Sequence, residues 1–188
     1  MPKKYRIFIA FPVSDEVREE LLSAQNKLVE LNKKSHIKWT KRDLFHITLE
    51  FIGDAEAYQV EGIMDALSKI SKNFHAFDYW LDRLDEFPNK SQPNILVAKV
   101  KGEKRANHAI HDKLSESLQE LGLLDVLHDW TPHVTIGRNR NQEDIVGLGD
   151  VELKKVIWNV NSIQLIESRL TSSGPIYDVI ETYNLIGN

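Results

Sequence analysis

Along this chain the spacing of apolar residues switches between the two-residue period of a half-buried strand and the three-to-four-residue period of an amphipathic helix. Tyr5 to Phe11, rich in aromatic and β-branched residues, predicts an opening strand ended by Pro12. Ser14 is placed to cap a helix with Asp15 and Glu16 in its first turn, Val17, Leu21, Leu22, Leu28 and Leu31 on its buried side, and Lys33 and Lys34 at its C-terminal end. A strand from Phe45 to Ile52 follows, and Gly53-Asp54 then turns the chain into a second helix marked by Val60, Ile63, Met64, Leu67 and Ile70. Phe74 to Leu84 and Ile95 to Lys101 read as strands on either side of a loop from Phe87 to Asn94 that holds Pro88 and Pro93. Ile110, Leu114, Leu118 and Leu121 mark a third helix, with Gly122 where a left-handed C-cap belongs. A strand from Trp130 to Arg138 and a polar excursion from Asn139 to Asp150 come next. Strands from Val156 to Leu170 and Ile176 to Leu185, joined across Ser172-Ser173-Gly174-Pro175, close the chain.

Two of these strands carry the same short pattern. His46-Ile47-Thr48-Leu49 returns as His133-Val134-Thr135-Ile136, nearly half the chain later. In a strand, residues i and i+2 share a face, so His46 sits beside Thr48 and His133 beside Thr135. Strict alternation sends Phe45, Ile47, Leu49 and Phe51 to the core and leaves His46, Thr48 and Glu50 on the polar side, with Glu50 in a surface or supporting role. One such histidine is most often a satisfied, half-buried side chain. Two copies, each followed by a glycine (Gly53 and Gly137), point to an internally duplicated architecture with one motif per half.

At 188 residues the chain suits a single domain, 1–188, or two lobes sharing a cleft. Its 41% hydrophobic and 28% charged content is that of an ordinary globular protein. The absence of cysteine excludes disulfides and thiolate metal sites, and suits a cytoplasmic location. The N-terminal segment carries basic Lys3, Lys4 and Arg6, but its apolar stretch is too short and too soon interrupted for the core of a signal peptide, and no run approaches the roughly 20 apolar residues of a membrane span. A net charge of −4 argues against coating long nucleic acid by general electrostatics. Local basic groups remain: Lys33, Lys34, Lys38, Lys41 and Arg42 before the first motif, Arg138 and Arg140 after the second.

Two imidazoles suit a reaction that needs a general base and a general acid in one turnover, because their ordinary pKa near 6.5 lets one be neutral while the other is charged. The threonine hydroxyls can donate to two oxygens of a tetrahedral anion such as phosphate. Arg138 offers a planar fork of donors to the same group, yet parity puts it on the face opposite His133. Its participation requires a bulge or a strand end, for which Gly137 supplies a cause. Of the other histidines, His36, His75, His108, His111 and His128, only His108 and His111 have a ligand-like helical spacing. No acidic partner at a recognised spacing accompanies them, so they are expected to be solvated helix residues and no metal site is expected.

The chain resembles the 2H phosphoesterase superfamily, and within it the bacterial and archaeal RNA 2′,3′-cyclic phosphodiesterase branch, also called 2′-5′ RNA ligase. The likeness rests on Arg6-Ile7-Phe8-Ile9-Ala10, on Phe45 to Gly53, on Thr131 to Arg138, and on Glu167-Ser168-Arg169-Leu170 with Gly174 and Tyr177. One departure is Ile136-Gly137, where that pattern often has Leu-Ala. The resemblance implies an α+β fold of two pseudo-symmetric, intertwined lobes, each an antiparallel sheet backed by helices, with the cleft between them. It implies metal-independent, cofactor-free opening of a terminal 2′,3′-cyclic phosphate to a 2′-phosphate, with His46 as proton donor and His133 as proton acceptor. Thr48, Thr135 and Arg138 would hold the phosphate, and the same site could join RNA ends reversibly. The implied partners are RNA ends or nucleotides bearing that cyclic group, with no membrane and no obligatory protein partner. Two other readings stay open: a phosphoesterase for small cyclic nucleotides or an ADP-ribose cyclic phosphate, and a non-catalytic nucleotide-binding module. An aromatic such as Phe11 could stack on a terminal base, although core packing is the commoner fate of such a residue.

Overall fold

The computed structural model describes residues 4–87, 95–102, 104–126, 129–172 and 174–187. In chain order the elements are β1 (Lys4–Pro12), α1 (Asp15–Leu31), β2 (Lys38–Trp39), a single 3-10 turn (Arg42–Leu44), β3 (His46–Glu56), α2 (Ala57–Ser71), β4 (Phe77–Phe87), β5 (Ile95–Gly102), α3 (Lys104–Glu120), β6 (His133–Arg138), β7 (Ile157–Val160), β8 (Ser162–Thr171) and β9 (Gly174–Asn184). The strands form one antiparallel sheet in the order β7-β4-β5-β6-β3-β1-β8-β9, with β2 added to β6.

That order is palindromic about its centre. β3 and β6, the two histidine strands, stand side by side in the middle, and each is flanked by the strand that precedes it through a helix: β1 before α1 and β3, β5 before α3 and β6. The fold is therefore α+β with two related halves. Its helices cross over between them. Gln25 of α1 donates to the carbonyl of Ile136 in β6 (2.7 Å) and to that of Thr40 (2.8 Å), while α3, from the other half, lies against β3 and α2. One face of the sheet holds the main core, with Ile7, Ile9 and Phe11 of β1, Ile47 and Leu49 of β3, Tyr79 and Leu81 of β4, and Ile163 and Leu165 of β8. Phe11 is fully buried there, so it is a packing residue.

Several boundaries differ from the sequence expectation. β3 continues past Gly53-Asp54 to Glu56, because Gly53, at φ +79°, forms a bulge opposite Ile7 instead of a turn. Helix α2 then starts under a reciprocal cap in which the backbone N–H of Glu56 donates to Gln59. The run from Val156 to Leu170 is two strands, since β7 pairs with β4 at one end of the sheet and β8 with β1 and β9 at the other. Alternation alone does not show that a chain changes neighbours. β4 begins at Phe77 and runs to Phe87, and residues 88–94 of the expected loop lie outside those described. Helix α1 stops at Leu31, which is exposed, so Lys33 and Lys34 lie beyond it. Its end is closed by the Asn32 amide, which donates to the carbonyls of Leu28 and Val146. Gly122, at φ +67°, takes the expected place after α3, and Leu123 N–H reaches back to Leu118.

Because Gln25 is buried and ties α1 to the far half, Gln25→Leu, which keeps the volume and removes the donors, is expected to cost about 1–3 kcal/mol. Urea unfolding measures it directly, and an unchanged midpoint would show that the tie is dispensable.

Candidate active site

The two motif strands meet at one backbone pair, Ile47 opposite Val134. Continued by one residue each way, this antiparallel register sets His46 across from Thr135 and Thr48 across from His133. The two histidines are then diagonal neighbours on the face opposite the main core, a relation that in regular sheet separates the two residues by about 7–8 Å. Their charges are felt across this distance, His133 helping to hold down the pKa of His46.

Bulges decide which other residues join them. In the β1–β3 pairing Ile9 faces Glu50 and Ala10 faces Thr48, so Leu49 has no partner of its own and the alternation slips. Leu49 and Glu50 consequently both point inward, and Phe51 returns to the face of His46 and Thr48. This reverses the expected places of two residues: Glu50 is only 6% exposed, against 52% for Phe51. Glu50 lies 3.9 Å from Nε2 of His111, a helix histidine expected in solvent but in fact buried, with its ring stacked on Trp130 at 5.0 Å. His108 also packs its ring against Trp130, and His128 lies outside the described residues. Among the described residues no group of three or more His, Asp or Glu side chains is arranged to hold a metal.

The second motif slips in the same way. Leu96 faces Gly137 and Val97 faces Thr135, which leaves Ile136 unpaired and returns Arg138 to the side of His133 and Thr135. The bulge anticipated at Gly137 is therefore present. A side chain at 137 would come within 3.2 Å of Ile37 and Trp39, so glycine lets β2 lie close against this bend. The positive charge of Arg138 reaches both His46 and Tyr177 across the cleft. Of the basic group before the first motif, Arg42 is already engaged by Asp15, Glu19 and Asp43.

Each imidazole is fixed by a backbone carbonyl two residues upstream. Nδ1–H of His46 donates to Leu44 (2.7 Å) and Nδ1–H of His133 to Thr131 (2.7 Å). A carbonyl only accepts, so in both neutral rings Nε2 carries the lone pair. The Thr48 hydroxyl donates to Nε2 of His46 at 3.0 Å. Burial pushes the pKa of His46 down to about 4, opposed by the Leu44 hydrogen bond and helped by the positive charges of Arg18 and Arg138 and by that of His133 when it is protonated. Burial also lowers that of His133, aided by Lys99, its cross-strand neighbour. Both rings are neutral at pH 7 and ready to accept a proton.

Residues that alternation did not single out complete the setting. Trp130, just ahead of the second motif, donates its indole N–H to the Thr48 carbonyl in the first (2.9 Å). Phe8 packs its ring 4.8 Å from His46, Tyr177 stands edge-on to both, and Phe87 stands edge-on to His133 at 5.0 Å. Phe8 was open to discovery, since it has the opposite parity to the core residues Ile7 and Ile9. Trp130 and Gln25 have no such signal, because their partners are backbone groups far away in sequence.

A family model described as LigT-like phosphoesterase matches residues 11–97. An RNA 2′,3′-cyclic phosphodiesterase of Aquifex aeolicus is 30% identical, over 98% of this chain and 100% of its own length. The chain belongs to the LigT-like phosphoesterase family. It is thus a hydrolase of phosphodiester bonds. Two solved structures share the fold of this phosphoesterase: a Thermus thermophilus protein with TM-score 0.83 and 24% identity, covering 97% of this chain and 99% of that one, and Escherichia coli LigT complexed with 3′-AMP, with TM-score 0.79 and 17% identity over the same shares. Among the described residues no helix is long and apolar enough to cross a membrane.

The depressed pKa of His46 has a consequence for stability. Between pH 6.5 and about 4 the unfolded chain takes up a proton that the folded protein refuses, so stability is full above this window and falls as the pH drops through it. Urea midpoints measured from pH 7 to 4.5 should decline, and His46→Gln should flatten that decline. An equal slope in the variant would mean that His46 is not the titrating group.

Proposed function

We propose that this phosphoesterase opens the 2′,3′-cyclic phosphate at an RNA end, or on a nucleotide bearing that group, to a 2′-phosphate, using only side chains of its own. The observation that carries this reading is the diagonal pair of histidines, each with Nδ1 tied to a carbonyl, which leaves Nε2 as the nitrogen that can take up or give a proton. The relatives' shared name, RNA 2′,3′-cyclic phosphodiesterase, supports the substrate class. The cleft needs both halves of the sheet, and we take residues 1–188 as one domain of two intertwined lobes.

In the proposed reaction His133 takes a proton from water as its oxygen attacks phosphorus, and His46 gives a proton to the departing 3′ oxygen. The P–O3′ bond breaks, leaving a 2′-phosphate and a 3′-hydroxyl. His46 must be charged to act as the acid, and the anionic phosphate supplies the means, since a negative charge alongside favours the imidazolium and opposes the neighbouring cations. Thr48, Thr135 and Arg138 hold the phosphoryl oxygens, Arg138 with a fork of donors suited to charge that builds up in the transition state. With an RNA 5′-hydroxyl in place of water, the same displacement joins two ends through a 2′-5′ bond without ATP.

His46→Ala and His133→Ala should each lower turnover of nucleoside 2′,3′-cyclic phosphates by about 10²–10⁴, with circular dichroism unchanged and with excess chelator making no difference to the native protein. The double variant should lose far less than the product of the two effects, as expected of groups that work together. Near-normal turnover in either single variant would remove the paired-histidine mechanism.

The choice of bond gives a second test. Only cleavage of P–O3′ has a base behind the attacker and an acid on the leaving group, so phosphorus NMR of the product should show a 2′-phosphate. A predominant 3′-phosphate would reverse the substrate's orientation between the strands.

A further inference from the structure

The bulge in β3 puts Phe51 on the cleft face, where neither the packing of the core nor the proposed reaction uses it. Its ring is half exposed and forms part of an apolar shelf one residue deep that crosses four strands: Phe51 faces Phe8, Phe8 faces Ile166, and Ile166 faces Val179, itself 51% exposed. The shelf is continuous with the candidate active site. Phe8, fully buried, packs against the His46 ring on one side and lies nearly parallel to Phe51 on the other, with centroids 6.2 Å apart and planes 15° from each other. Tyr177 fills the corner between Phe8 and His46. The guanidinium of Arg6 stands 5.1 Å from the Phe51 ring centre. An exposed aromatic with an arginine beside it is the combination that holds single-stranded nucleic acid, the ring stacking on a base and the cation attracting the backbone.

We infer that Phe51 and Arg6 form a subsite for the nucleotide on the 5′ side of the cyclic-phosphate end, so that the cleft reads at least two residues of an RNA chain. This rests on the proposed cyclic-phosphate reaction and adds the polymer to it. The geometry favours the second nucleotide over the first. With the cyclic phosphate between His46 and His133, the terminal ribose and base occupy the space beside His46 and Tyr177. The next residue along the chain then reaches the outer ring, beyond the buried Phe8. A mononucleotide cannot use that ring.

The test compares kcat/KM for a nucleoside 2′,3′-cyclic phosphate with that for a dinucleotide ending in the same group, on the native protein, Phe51→Ala and Phe51→Tyr. Phe51 is half exposed, so truncation leaves the core intact. Loss of one stacked base should lower the dinucleotide-to-mononucleotide ratio roughly tenfold in Phe51→Ala, and Phe51→Tyr should restore it. A ratio unchanged by Phe51→Ala, or equal losses on both substrates, would overturn the subsite while leaving the cyclic-phosphate reaction standing. Native protein that opens neither substrate would remove that reaction, and the subsite with it.

Discussion

A single backbone pair, Ile47 with Val134, joins the two halves of the sheet, and the geometry of the cleft depends on it. Every other neighbouring pair on the main path of the sheet is held over several residues. At the centre the strands touch and then part, which opens a cleft while keeping the two motifs in register. A one-residue slip there would turn one histidine to the core side, so a contact this short must be reinforced from elsewhere. Trp130 does this from above the second motif by bonding the Thr48 carbonyl, and Gln25 does it from beneath by bonding Ile136. Both use side-chain donors where the strands have stopped supplying backbone ones. The buried stack of His111 under Trp130, with Glu50 beside it, gives the indole a fixed seat.

The bulges carry as much of the design as the pairing. Regular alternation would give the histidine face His46, Thr48 and Glu50 on one strand and His133, Thr135 and Gly137 on the other. That set includes a carboxylate, which repels a phosphate anion, and lacks a cation. One unpaired residue in each strand exchanges Glu50 for Phe51 and Gly137 for Arg138. The slip thereby removes a negative charge from the cleft and brings in an arginine. The carboxylate is buried next to an imidazole, where it has a partner of complementary chemistry.

This also explains what could be read from the sequence. Most of the elements and the parity of His46 with Thr48 and His133 with Thr135 follow from hydrophobic spacing, because burial of one face leaves a period that survives in the residues themselves, whereas the α+β class comes from the family resemblance. The bulge at Gly137 was legible as a need, since Arg138 had the wrong parity and a glycine stood beside it. The bulge at Leu49-Glu50 was not, because Leu-Glu-Phe alternates acceptably in either register and the choice is made by β1. The division of the last long apolar run into β7 and β8 was hidden for the same reason: it depends on which strands lie alongside. Trp130, Gln25 and the buried His111 depend on contacts between distant segments, which no local pattern records.

The electrostatics of the cleft follow from the same arrangement. Placing two imidazoles near Arg18, Lys99 and Arg138 in a partly desolvated site makes each of them hard to protonate. For a solvated acid catalyst this would be a handicap. In the proposed reaction it makes protonation conditional on an anion, because a phosphodiester held between the strands would offset the cations and replace part of the lost hydration. A neutral ligand brings no such compensation and leaves His46 without its proton. On the proposed reaction, the cationic lining would select substrate at two steps: it would attract the phosphate, and it would withhold the acid until a negative charge has arrived. Pairwise attraction alone would give only the first, and the second requires that the histidines be partly desolvated among like charges to begin with.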